Sequence, residues 1–313
     1  MTPILQTEHG LIMTTLERIG ARTADLGEGL RVSRVLPTRE RRMVGAWCFL
    51  DHAGPVRFEE GRPMLVGAHP HTGLQTFTWL IEGEVLHRDS LGSEQIIRPG
   101  QVNLMTAGRG IVHTEDSLTP TLHAAQLWIA LPPEEFAREP AFDHYPQLPT
   151  WQERGVTLTL LAGRYRAQEA PAKLYSRLIG LDLSSEAGGE QTLRLNPAFE
   201  HALLPLKGEV ELEGEVFAAD EFAFLGSRRE SIDLTLRAGS RALLIGGEPF
   251  EHQVVMWWNF VAHSRADIVQ AQHDWETGSA RFGVVPHERG ARMPAPKLPW
   301  PSSSRSSSAH STG

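Results

Sequence analysis

The chain has little of three features that would assign it to a particular class of protein. Cys48 is the only cysteine among 313 residues, so no disulfide can form within the chain and no oxidising compartment is required. No apolar run approaches the roughly 20 residues that a membrane-spanning helix needs. No basic segment followed by an apolar one, the pattern of a secretory signal, precedes the first strand-like segment. We therefore expect a cytoplasmic protein that does not enter a membrane.

Positive charge is also scarce. Lys and Arg number 30 against 38 Asp and Glu, which gives a formal net charge of −8. A protein that grips nucleic acid by its phosphates normally carries a basic stripe. The nearest candidate, residues 39–42, is interrupted by Glu40 and is typical of a solvated turn. Direct binding to nucleic acid is disfavoured, whereas binding to a protein partner stays open.

Glycine and proline are plentiful, with 29 and 21 copies, and they separate short segments rich in β-branched and aromatic residues. The segment QTFTWLI at residues 75–81 shows this character best. Similar segments recur at 30–36, 46–49, 84–86, 95–97, 102–105 and 122–131, and again at 156–161, 178–183, 190–195, 201–206, 209–212, 221–225 and 240–246. Many short strands at this spacing predict an all-β sandwich or barrel.

A loose internal repeat indicates that there are two barrels. GEVLHRDSLGSEQIIRPGQV in the first half is echoed by GEVELEGEVFAADEFAFL in the second, and both read as strand, turn, strand, turn, strand. We therefore predict a leader at residues 1–20, a first barrel at 21–165, a second at 175–290 and a disordered tail at 291–313. Short helices are predicted after Pro132 and from Ser264, whose pairing with Asp267 is typical of a helix start.

Two short patterns carry metal-binding side chains: His69-Pro70-His71 and His113-Thr114-Glu115. Residues i and i+2 of a strand project from the same face, so each pattern places two such side chains together. One pair alone is weak evidence, because 14 histidines produce close pairs by chance. Both pairs, however, lie in the same predicted barrel, and the glycine turns between them can bring the second beside the first. Three imidazoles and a carboxylate suit a divalent first-row metal.

The stretch from HPHTGLQTFTWLIEG to GRGIVHTE, which contains both patterns, resembles the signature block of the pirin family within the cupin superfamily. DHAGP at 51–55 and GGEPFEHQVVMWWNFVAHSRADIV near the C-terminus resemble that family's early and late segments. The resemblance implies two stacked cupin barrels of the jelly-roll kind, of which only the first keeps a metal. It also implies that His69, His71, His113 and Glu115 are the metal ligands, with Fe(II) expected and Mn, Ni, Cu or Zn as alternatives.

The resemblance implies two functions between which the sequence does not decide. One is a quercetin 2,3-dioxygenase, which uses O2 to open the ring of a flavonol. For that reaction Glu115 is our candidate catalytic base for the substrate hydroxyl, because it is the only carboxylate that the sequence places at the site. The other is a non-enzymatic regulator whose metal and redox state govern binding to a protein partner. A third possibility, a purely structural metal, predicts a site with every coordination position closed.

One position departs from the family pattern close to the metal motif. Gln75 stands where the family usually has a carboxylate, so we expect the shell around the ligands to be altered there and activity to be affected. The other conspicuous residues are predicted to be structural. For His87-Arg88-Asp89 a turn-flanking salt bridge is favoured over a role beside the metal ligands. Arg109 fits a surface turn and a contact to an anionic substrate equally well, and Trp257-Trp258 is interpreted as packing for the C-terminal segment.

Overall fold

Short strands make up most of the chain in the computed structural model, which describes residues 16–25 and 30–300. In chain order the first strands are β1 (Glu17–Gly20), β2 (Arg22–Asp25), β3 (Arg31–Leu36), β4 (Trp47–Arg57), β5 (Leu65–His71), β6 (Leu74–Glu82), β7 (Val85–Asp89), β8 (Glu94–Ile97), β9 (Val102–Thr106), β10 (Ile111–Ser117), β11 (Thr121–Ala130) and β12 (Ala141–Tyr145). Pro133–Glu135 forms one turn of 3-10 helix, where a short helix was predicted.

The later strands are β13 (Thr150–Glu153), β14 (Val156–Tyr165), β15 (Gln168–Glu169), β16 (Leu178–Ser185), β17 (Gly189–Arg194), β18 (Glu200–Lys207), β19 (Glu209–Leu212), β20 (Glu215–Ala218), β21 (Glu221–Gly226), β22 (Ser231–Leu236), β23 (Ser240–Gly247), β24 (Val255–Trp257) and β25 (Phe260–Ala262). The single α-helix of the described residues, α1 (Arg265–Glu276), begins as predicted, because the Ser264 side chain accepts a hydrogen bond from the backbone N–H of Asp267. None of the helices described is long and apolar enough to cross a membrane.

Each barrel consists of one large sheet and one four-stranded sheet. In the first barrel the large sheet runs β12-β9-β6-β11-β4-β3-β2 and the small sheet β5-β10-β7-β8. In the second, β1-β21-β18-β23-β16-β14-β13 is paired with β17-β22-β19-β20. Every strand pairing within these sheets is antiparallel. The predicted architecture of two all-β barrels is confirmed.

The two large sheets pack back to back and form the core between the barrels. Strand β6 alternates polar and apolar residues over 76–79, yet both of its faces are buried there. Phe77 and Trp79 belong to the same apolar cluster as Ala202 and Leu204 of the second barrel, while the alternate residues Thr76 and Thr78 line a cavity inside the first barrel. The polar face of this strand thus borders a cavity rather than solvent.

The chain crosses between the barrels more often than the predicted division allows. Residues 17–20 of the predicted leader form β1, which pairs with β21 of the second barrel. Strands β13 and β14, assigned to the first domain by sequence, hydrogen-bond into the second barrel's sheet. The apolar residues at 156–161 could form a core strand of either barrel, so their pattern could not show where the first domain ends and the second begins.

The C-terminal segment returns to the first barrel. Phe260, Ile268 and Trp275 of this segment share an apolar cluster with Ala68 and Val112 of the metal-motif strands β5 and β10. Residues 291–300, predicted to be part of a disordered tail, continue along this face, where Met293 donates its backbone N–H to the carbonyl of Ala68. The remainder of the predicted tail, and residues 1–15 of the leader, lie outside the described residues.

Candidate metal centre

Three imidazoles meet on the inner face of the small sheet of the first barrel. His69 and His71 lie on β5, and His113 lies directly opposite His69 on the neighbouring strand β10. Their ligating nitrogens all lie within 4.8 Å of one another, and the three side chains are buried. The i, i+2 spacing points both β5 histidines inward, whereas Ala68, the residue before His69, packs against the C-terminal segment. Three of the four predicted ligands are thus brought together.

Backbone carbonyls fix the orientation of two of these rings. The Nδ1 of His69 lies 2.8 Å from the carbonyl oxygen of Gly67, and the Nδ1 of His71 lies 3.2 Å from that of Asn259. A carbonyl can only accept, so each Nδ1 carries the proton and donates it. Each Nε2 therefore keeps its lone pair for a metal, the arrangement that outer hydrogen bonds enforce at most histidine sites.

The spacing of the donor atoms fits a first-row metal ion. The Nε2 atoms of His71 and His113 lie 3.1 Å apart. Two neutral lone pairs facing each other at that distance repel. Two nitrogens bound at right angles to one ion, with bonds of about 2.1 Å, would lie roughly 3.0 Å apart. This donor set can therefore hold a divalent transition metal, and such an ion would replace the repulsion by attraction.

His113 is oriented by a second histidine. Its Nδ1 lies 3.3 Å from the Nδ1 of His87, and the Nε2 of His87 lies 3.1 Å from the buried Asp89 carboxylate. Since the carboxylate accepts, His87 donates from Nε2 and accepts at Nδ1 from His113. The chain Asp89–His87–His113 thus leaves the Nε2 of His113 free for the metal, as the carbonyls do for the other two ligands.

The favoured interpretation of His87-Arg88-Asp89 as a turn-flanking salt bridge accounts for only part of this segment. His87 and Asp89 lie at i and i+2 of β7, so they share a face by the same rule that selected the two ligand pairs. Arg88 points to the other side, where it forms the expected salt bridges with Asp116 and Glu94. The HxD spacing was the signal that could have revealed the inner pair.

Glu115, the fourth predicted ligand, lies beside the triad. Its carboxylate is grouped with His113 and His87 within 4.8 Å, a set that does not include His69 and His71. It lines the same cavity as the three histidines. His113 pairs with His69, but Glu115 pairs with Val66, so the pairing moves three residues along β5 and only two along β10. Strand β5 therefore has a bulge of one extra residue at this point.

Burial controls the protonation of the whole cluster. It lowers the pKa of His69 to about 4 and the pKa values of His71 and His113 well below 6.5. It raises the pKa of Glu115 above its usual value, and the nearby His87 opposes that shift. The three imidazoles are therefore neutral at pH 7, the form in which histidine binds metal.

The histidines line one wall of a cavity of about 380 Å³. Aromatic rings form much of the surface beside them. Trp128 stacks on Phe49 with ring centroids 4.0 Å apart, and its edge meets His71 at 5.1 Å. The turn of the β24–β25 hairpin adds Trp258 and Asn259 to the lining. The site is therefore open on its cavity side and mainly apolar, which is typical of a small-molecule pocket and unlike a closed structural metal site.

Two sequence interpretations need correction. Gln75 was expected beside the metal ligands, but it does not line the cavity. Its amide donates to Thr106 Oγ1 and to the carbonyl of Lys173, in the segment that joins β15 to β16. Thr76 takes the cavity side, so strand alternation places Gln75 on the opposite face. Trp258 was expected only to pack, and it borders the cavity instead.

Cys48 and Arg109 both lie outside the lining of this cavity. Cys48 is buried, and burial raises its pKa to about 12, so it is no nucleophile. Arg109 pairs with Glu139 on the surface. Within residues 16–25 and 30–300, both groups of side chains able to hold a metal lie in the first barrel.

Comparison with known proteins gives a consistent result over nearly the whole chain. Residues 29–129 match the family model named Pirin, and residues 180–283 match the model of the pirin C-terminal cupin domain. A Pseudomonas aeruginosa protein named "Putative quercetin 2,3-dioxygenase" is 57% identical over 287 residues, 91% of each chain. A pirin-like protein of Caulobacter vibrioides is 36% identical over 88% of this chain and 98% of its own length.

Solved structures agree on the fold. The crystal structure of quercetin 2,3-dioxygenase from Acinetobacter baumannii superposes with a TM-score of 0.88 at 46% identity, covering 91% of this chain and 96% of that one. The bacterial pirin YhhW of Escherichia coli, solved in complex with nickel(II), has a TM-score of 0.61 at 20% identity over 75% of this chain and 100% of its own. The latter likeness concerns the fold alone.

Proposed function

Because this chain belongs to the pirin family of the cupin superfamily, we propose that it is a metal-dependent dioxygenase of the quercetin 2,3-dioxygenase type. Its substrates are a flavonol and O2, and the flavonol ring is opened. The observation that carries the proposal is the opening of the three-histidine cluster into an apolar cavity. The relatives from Pseudomonas aeruginosa and Acinetobacter baumannii are named for the same substrate class, which supports the proposal.

His69, His71 and His113 are the proposed ligands of the metal, with Glu115 completing the set. Fe(II) is the proposed ion, and Mn, Ni, Cu or Zn suit the same donors. The bound metal supplies an electrophilic, redox-active centre that brings the flavonol and O2 together. Glu115 is the proposed fourth ligand because its carboxylate lies within 4.8 Å of the ligating nitrogen of His113.

The cavity walls orient the flavonol and keep water out. The stacked pair of Trp128 and Phe49 offers a flat apolar surface beside His71 for the fused rings. Trp258 of the C-terminal hairpin also lines the cavity. The volume of about 380 Å³ lies at the small end of the range for ligand pockets, so a single flavonol-sized molecule fills it.

Glu115 is the proposed general base. Its carboxylate lines the cavity beside His113, where it can accept a proton from a bound hydroxyl group. In this role the carboxylate accepts the proton of the flavonol hydroxyl and holds it on an oxygen that faces the cavity. The flavonol is thereby converted into its anion, the form that chelates a metal and gives up electrons most readily.

The test is an aerobic turnover assay on protein loaded with Fe(II) under nitrogen. Loss of the quercetin absorption band should accompany the uptake of one O2 per quercetin. Glu115→Gln keeps the size of the side chain but cannot accept the proton, so we expect kcat to fall by about a hundredfold or more. A fully metallated protein that consumes neither quercetin nor O2 would refute the proposal and favour the regulatory function instead.

A further inference from the structure

The second barrel contains a cavity of its own, which the proposed reaction does not use. It has a volume of about 710 Å³ and is lined by β14, β16, β17, β18 and the segment between β14 and β16. None of its lining residues borders the cavity at the histidine cluster. Its volume lies within the range of small-molecule sites.

The charge around this cavity is opposite to that of the chain. Four arginines and one glutamate line it, although the protein carries a net charge of −8. Three of the arginines are paired with acids: Arg164 with Glu169, Arg166 with Glu153, and Arg177 with Glu248. Arg194 differs, because its guanidinium forms no ion pair or hydrogen bond with any residue in 16–25 or 30–300. The cavity mouth therefore presents one uncompensated positive charge.

A buried histidine at the wall of this cavity has an unused nitrogen. His201 lies on the barrel-facing side of β18, as does Leu203, while Ala202 faces the other barrel. Its side chain is 1% exposed, and its Nδ1 has no hydrogen-bond partner among the described residues. His201 therefore places an imidazole ring at the cavity wall, where a ring nitrogen can hydrogen-bond to a ligand.

We propose that this cavity binds a small aromatic carboxylate that carries a second polar group. The carboxylate pairs with the forked guanidinium of Arg194. The ring packs against the apolar lining formed by Ile179, Leu195 and Phe199. The second polar group hydrogen-bonds to His201. This assigns the second barrel, which lacks the metal ligands of the first, a binding role of its own.

The charge balance favours a carboxylate over phosphate. The acids that pair with the other arginines leave a single positive charge to be neutralised at Arg194. A monoanion with an apolar body satisfies that charge and also covers the apolar wall. An inorganic phosphate would bring more negative charge and leave Ile179 and Leu195 exposed to water.

The test is a calorimetric titration of the full-length protein with 4-hydroxybenzoate, together with its neutral analogue 4-hydroxybenzamide and inorganic phosphate. We expect 4-hydroxybenzoate to bind and the amide and phosphate to bind at least about tenfold more weakly. Arg194→Gln should weaken 4-hydroxybenzoate by about tenfold or more. Arg237→Gln, at an exposed arginine of the same barrel outside the cavity, should leave the affinity unchanged.

The result should be the same with and without metal, which separates this site from the first barrel. No binding of 4-hydroxybenzoate at millimolar concentration would overturn the proposal, as would equal affinity for Arg194→Gln and the unmodified protein. Equal binding of phosphate would overturn the assigned ligand class. Binding that requires the metal would place the ligand in the first barrel and would also overturn it. Arg194 is exposed, so its replacement should leave the fold, checked by circular dichroism, intact.

Discussion

Replacing Asp89 with Asn tests how the protein controls a metal ligand without touching the metal. One carboxylate oxygen of Asp89, Oδ1, accepts the backbone N–H groups of Leu91 and Ser93 at 2.8 and 3.0 Å. In Asp89→Asn that position must stay an oxygen, so the amide NH2 faces His87 instead. A donor there forces His87 to accept at Nε2 and to carry its proton on Nδ1. His113 must then carry its own proton on Nε2, the atom that should bind the metal.

The expected loss follows from this reversal. To bind metal through the Nε2 of His113, the variant must break one of the buried hydrogen bonds that link position 89, His87 and His113. Changes to residues that hydrogen-bond to a metal ligand cost about 10–100-fold in metal affinity. That corresponds to roughly 1.4–2.7 kcal/mol. Competition with a chelator of known affinity, using Ni(II) as an air-stable probe, measures the change directly.

Asp116→Asn is the matched control for this experiment. Asp116 is also a buried aspartate on this small sheet, but it pairs with Arg88 on the face away from the metal ligands. We expect that variant to lose stability and to keep its metal affinity. Unchanged affinity in Asp89→Asn, or an equal loss in Asp116→Asn, would refute the proposed control of His113 through His87.

Three further predictions concern the contact between Gln75 and Lys173, the cavity residue Trp258, and the effect of pH on stability. Gln75→Glu should lower the free energy of unfolding by roughly 1–3 kcal/mol, because a carboxyl replaces the buried amide that donates to Lys173, while metal affinity stays unchanged; chemical denaturation and metal titration check both. Trp258→Ala should raise the KM for quercetin several-fold with full metal content retained, and an unaltered KM would contradict its place in the cavity. The metal-free protein should lose stability as pH falls from about 6.5 to 4, because the pKa of His69 is about 4 in the folded protein and the unfolded chain takes up the proton first. His69 alone accounts for a loss of up to about 3 kcal/mol in the free energy of unfolding. Denaturation midpoints that stay constant over this pH range would contradict the prediction.

Much of the site could be predicted because strand periodicity is strict. The spacings His69 to His71 and His113 to Glu115 each place two side chains on one face, and the antiparallel pairing of β5 with β10 brings His113 opposite His69. The same rule applied to Gln75 and Thr76 would have placed the glutamine away from the cavity. That error arose because similarity to a motif was taken as proximity to the metal.

The remaining features depend on contacts between segments far apart in the chain. Asn259 approaches His71 across 188 positions, and Trp258 borders the cavity only because the C-terminal segment packs on the first barrel. No local sequence pattern predicts that the C-terminal segment packs on the first barrel, since the turn residues of β24–β25 could pack against many surfaces. The position of β14 was equally hidden, because its apolar residues suit the interior of either barrel.

A metal-loaded crystal structure with anomalous scattering at the absorption edge of the metal tests the central claim most directly. We predict one ion within about 2.0–2.3 Å of the Nε2 atoms of His69, His71 and His113, with the Glu115 carboxylate turned toward it and at least one coordination position facing the cavity. An ion bound elsewhere, an ion held through the Nδ1 atoms, or no anomalous signal at these three histidines would contradict the account.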